Sequence, residues 1–189
     1  MPIVYKYPLP AFLKDMISPS EYSKWLNCKA DTLHKLDLKR KKPWAGKCSK
    51  AVYKEEIHKA VLFAGTKDPY TGDTLRWDLI GKWDNKKEAL YRLEQVRGVF
   101  NREFFLLPTV DHSDPYNDVL EFEICSWIVN SSKTLMNPDE FVGFCKKIAE
   151  FPSTLRPGSV RRSAQEPSAT LSHGDMVVSN EPACQKTPP

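Results

Sequence analysis

No C-x-x-C pair occurs in the chain, and no Cys/His set has zinc-finger spacing. The usual structural zinc clamps are therefore not expected. The five cysteines, Cys28, Cys48, Cys125, Cys145 and Cys184, are odd in number and widely spaced, which argues against a disulfide framework and for buried or idle thiols. No apolar run approaches the ~20 residues that a membrane span needs. The opening stretch, MPIVYKYPLPAFLKDM, is broken by Lys6, Pro8, Pro10 and Lys14, unlike the apolar core of a signal peptide. The expectation is a cytoplasmic chain with no membrane partner. No internal repeat is present, and Glu55, Glu56 and His58 do not form H-E-x-x-H.

What is present suits an ordinary domain: 189 residues, 41% hydrophobic and 28% charged. The net charge of +4 decides little, but its distribution is uneven. Between Lys35 and Lys50, KLDLKRKKPWAGKCSK holds seven Lys or Arg and one Asp. One reading is a solvated helix end, because cations suit a helix C-terminus. The other is phosphate contact through Lys39, Arg40, Lys41 and Lys42. Trp44, amid these cations, either stacks on a base or sugar or packs locally.

Ser18-Pro19-Ser20-Glu21 reads as a capping box with Pro at the first helical position, opening a helix that fades before Pro43. A second helix runs from about Ser49 to Gly65. Asp68-Pro69-Tyr70-Thr71-Gly72 is a turn, and Leu75, Trp77 and Leu79 alternate as in a short strand. NKKEALYRLEQVRGVF reads as a third helix. Residues 104–112 read as a strand, SDPYND as a turn, and VLEFEICSWIV as a second strand in an antiparallel hairpin. A short helix is expected in NSSKTLM, and Asn137-Pro138-Asp139-Glu140 caps a last one whose buried face is Phe141, Phe144, Cys145 and Ile148. From Pro152 the 38 remaining residues hold six Pro, six Ser and no aromatics, the composition of a disordered tail. The expectation is an α+β domain over 1–151 with a strand–strand–helix core at about 104–137, and a tail over 152–189.

The strand FLLPTVDH ends on Asp111 and His112, while Asn130 and Lys133 stand at the start of the following helix. Folding the hairpin and laying the helix across it could bring Asn130 near Asp111. A carboxylate and an amide oxygen suit Mg²⁺ or Mn²⁺ with open water positions. LPTVDHSDP…LEFEICSWIVNSSK resembles the HNH, or ββα-metal (His-Me finger), endonuclease motif, and DPYTGDTL resembles the Thr-Gly turn that often precedes it. The motif covers about thirty residues, or about seventy counted from that turn. The resemblance implies a metal-dependent endonuclease acting on DNA, with RNA as an alternative. In it Asp111 and Asn130 hold one divalent ion, His112 activates water as the general base, and Lys133 contacts phosphate or stabilises the helix. The middle Asn of the family motif, which orients the histidine, falls near Leu120 without a clear counterpart. The runner-up reading is a non-catalytic nucleic-acid-binding module that keeps the ββα shape. A third is a partner-binding protein in which Asp111 and His112 only end a strand. The oligomeric state stays open.

Overall fold

The computed structural model describes residues 5–82 and 104–152. The helix expected in NKKEALYRLEQVRGVF and the tail expected beyond residue 152 lie outside the described residues. Among those described, helices α1 (Pro19–Arg40) and α2 (Lys50–Ala64) are followed by strands β1 (Pro108–His112) and β2 (Phe122–Ser126), then by helices α3 (Trp127–Lys133) and α4 (Pro138–Glu150). This is a mixed α+β arrangement with a two-stranded antiparallel sheet.

Helix α1 starts as its sequence dictates: the Ser18 hydroxyl accepts the Glu21 N–H, and the Glu21 carboxylate accepts the Ser18 N–H. Its buried residues Tyr22, Leu26, Ala30, Leu33 and Asp37 recur every three or four positions and form one stripe. The stripe packs on α2, whose Tyr53, Ile57, Ala60 and Val61 are buried in turn. Gly65, at φ 64°, ends α2.

The hairpin pairs Val110 with Ile124, Asp111 with Glu123 and His112 with Phe122. Successive strand residues point to opposite faces. Val110, Phe122 and Ile124 join the α1–α2 core, whereas Cys125 packs on the other side with Val129 and Phe141. The sheet therefore separates two different environments.

Four expectations are corrected. Residues 77–79 form a 3-10 turn, not a strand, because the Leu79 and Ile80 N–H groups bond back to Arg76 and Trp77. Residues 104–106 form a turn, so β1 is shorter than the apolar run suggests. Residues 127–129 are helical, not strand, because the Ser126 hydroxyl accepts the Val129 N–H and starts α3 early. On α4 Phe141 is buried as expected, but Phe144, Cys145 and Ile148 remain largely exposed. No helix among the described residues is long and apolar enough to cross a membrane.

Candidate functional site

His112 faces the helices. Its Nε2 lies 3.0 Å from Oδ2 of Asp37, 75 residues away in sequence, in the last turn of α1. The same oxygen accepts the Trp44 indole N–H at 2.9 Å and the Tyr53 hydroxyl at 2.9 Å. A carboxylate offers no proton, so Nε2 carries the hydrogen of this bond. Trp44 and Phe122 flank the imidazole at ring distances of 5.5 Å and 5.1 Å. Burial alone would push the Asp37 carboxyl up, but the His112, Trp44 and Tyr53 donors outweigh it and hold it below the ordinary carboxylate value. Asp37 Oδ1 is buried and makes no hydrogen bond among the described residues. Asp37 was not among the residues that the sequence singles out. Its signal was a lone acid on the apolar stripe of α1, a place where a charge must find partners.

Asp111 faces the other way. Its Oδ1 accepts the His112 N–H at 2.9 Å, and its Oδ2 lies 3.1 Å from Lys133 Nζ. Asp111 stands directly opposite Glu123 across the hairpin, an arrangement in which like charges repel. Lys133 resolves this: its fully buried ammonium lies 2.7 Å from Glu123 Oε1 and also donates to the His112 carbonyl at 3.4 Å. Burial by itself would lower the Lys133 pKa, but Glu123 and Asp111 reverse the effect and hold it above its ordinary value. The Tyr70 hydroxyl completes the cluster by donating to Glu123 at 2.6 Å. Tyr70 is set there by Asp68, whose Oδ1 accepts the Tyr70 and Thr71 N–H groups while its Oδ2 accepts the Ser126 N–H at 2.6 Å.

A divalent ion on Asp111 and Asn130, the expected pair, would have to compete with Lys133 for the Asp111 carboxylate. An ammonium already occupies the position of counter-cation to Asp111. The half-buried Asn130 makes no hydrogen bond to Asp111. No group of three or more His, Cys, Asp or Glu among the described residues could hold a metal. His112 thus turns toward the helices and Asp111 toward Lys133.

The residues expected to meet nucleic acid divide. Lys39, Arg40 and Lys41 are exposed and form no ion pair among the described residues, and the same holds for Lys47. Lys35 and Lys50 differ, because both pair with Asp31. Lys42 is half-buried and donates to the Pro115 carbonyl in the hairpin loop. Trp44 is only 3% exposed, so its ring offers no face to a base: Asp37 draws the indole inward. Lys133 is likewise withdrawn from any phosphate by its two carboxylates. The α1 turn itself closes on Asp37, whose carbonyl accepts the Lys42 N–H at 3.0 Å, with Lys41 in the left-handed region at φ 54°.

A scan against protein-family models finds no match, and searches of curated proteins and of solved structures find none either.

Proposed function

We propose that this chain is a nucleic-acid-binding module that keeps the ββα shape and contacts phosphates through the turn at the end of α1. One observation carries this reading. Lys39, Arg40, Lys41 and Lys47 are exposed and form no ion pair among the described residues, while Asp37, the one acid of that run, is buried. Asp37 and Lys42 also bind this turn to the hairpin, which supports a fixed presentation of its cations. Lys41 adopts the left-handed conformation that closes the helix, at a cost of about 1 kcal/mol relative to glycine, and the Lys41 and Lys42 N–H groups bond to the Leu38 and Asp37 carbonyls there.

Replacing Lys39, Arg40 and Lys41 together by Ala tests the reading. The log-log salt slope of DNA binding should fall by ~0.9 for each duplex phosphate that these cations neutralise in the wild type. An unchanged slope returns the run to a solvated helix end.

A second reading, HNH-type endonuclease activity on DNA with His112 as general base, is favoured by the grip of Asp37 on the imidazole. A buried carboxylate on one ring nitrogen orients the other as a proton acceptor. Supercoiled plasmid incubated with Mg²⁺, Mn²⁺ or EDTA separates the two. Nicking that disappears in His112→Ala selects the enzyme, and intact plasmid under all three conditions selects the binding module.

A further inference from the structure

From the geometry we infer that Tyr116 is a stacking platform for an unpaired base, and that the nucleic acid this chain takes is single-stranded. The inference rests on the phosphate-binding role of the α1 turn and specifies the partner of that same surface.

Tyr116 lies in the β1–β2 loop and is 66% exposed. Its ring contacts no other ring among the described residues. Its backbone is nevertheless fixed. The Tyr116 N–H donates to Asp114 Oδ1 at 2.8 Å, and the Asn117 N–H closes the turn on the Asp114 carbonyl at 3.4 Å. The preceding carbonyl, that of Pro115, accepts the Lys42 ammonium. An exposed aromatic is thus pinned one residue from a direct tie to the cationic turn. An exposed ring on a loop that a lysine of the cationic turn holds suits single-strand recognition, in which bases stack on a ring while their phosphates meet cations. Trp44, the aromatic nearest to these cations in sequence, is buried, and Tyr116 takes the outward place from another part of the chain.

Charge on the same loop favours a single strand over a duplex. Asp118 is exposed two residues from Tyr116, and Glu121 is exposed beyond it. A rigid duplex laid across the loop would bring its backbone against these carboxylates. A single strand can turn one base onto the ring and keep its phosphates on the Lys39–Lys41 side.

The test measures binding of a labelled oligothymidylate single strand, and of a duplex of equal length, by fluorescence anisotropy. Tyr116→Ala should weaken single-strand binding by about 5- to 100-fold, as expected for the loss of one stacked base. Duplex binding, the salt slope and the melting temperature should not change, and Tyr116→Trp should restore single-strand affinity. The inference is overturned if Tyr116→Ala binds the single strand as tightly as the wild type, or if single strand and duplex weaken equally. If the Lys39, Arg40 and Lys41 replacement lowers the salt slope while Tyr116→Ala has no effect, the phosphate-binding reading stands and this inference falls. If the wild type binds neither oligonucleotide, both fall together.

Discussion

At the scale of single residues, four side chains set the character of this molecule, and two of them act through contacts that their neighbours in sequence do not reveal. Asp37 gathers Trp44, Tyr53 and His112 onto one oxygen. Lys133 neutralises Asp111 and Glu123 from inside the protein. Tyr116 stands out from a pinned loop, and Lys41 holds a strained turn. Lys41 gives a direct prediction. Glycine accepts the left-handed conformation without steric cost but enlarges the freedom of the unfolded chain. On balance Lys41→Gly should stabilise the fold by about 0.5–1 kcal/mol. It should also lower DNA affinity, because one unpaired cation is removed. A thermal melt beside a binding titration checks both halves. A gain in stability with unchanged binding would assign the strained lysine no role at the surface.

At the scale of elements, the joint between α1 and β1 matters most. It consists of a buried carboxylate held by three donors, and its carboxyl pKa is depressed. The sign follows from linkage. A group whose pKa is lower in the folded state contributes stability above its unfolded pKa and loses it as pH falls through the folded value. Asp37→Asn should therefore destabilise the protein at neutral pH. The gap between variant and wild type should narrow once pH drops below the unfolded carboxyl value of ~3.9. Melting curves at neutral and acidic pH measure it, and a gap that does not vary with pH would mean that the charge of Asp37 contributes nothing. Much of the element pattern was legible in the sequence because it is local. The capping boxes at Ser18 and Asn137 lie within four residues, and both helices begin there. The alternation of Phe122, Glu123 and Ile124 set which face of β2 turns to the core. The Trp77 turn and the early start of α3 were not legible: both depend on hydrogen bonds that override a plausible strand pattern. The sequence brought out His112 but not its partner, since a contact 75 residues away leaves no periodic trace. It also left Lys133 to contact phosphate or stabilise the helix, because nothing in N-x-x-K reveals two carboxylates waiting across a hairpin.

At the scale of the whole molecule, the hairpin divides two buried polar clusters. On one face the Asp37 network leads outward to the cationic turn through Lys42 and the hairpin loop. On the other, Lys133 is closed in by β1, β2 and the Tyr70 turn, with no exposed surface. That enclosure has a chemical consequence. An acylating reagent needs a free, solvent-exposed amine, and the Lys133 amine becomes one only when the strands, the Asp68–Gly72 turn and α3 come apart together. Under pulsed treatment with such a reagent, Lys39 and Lys41 should be modified at once, while Lys133 should react only as fast as the fold opens. Peptide mass spectrometry over a time course would resolve the two rates. Prompt modification of Lys133 would mean that its enclosure is local and loosely held. A slow rate that rises with denaturant would make this one lysine a covalent clock for the global opening of the protein.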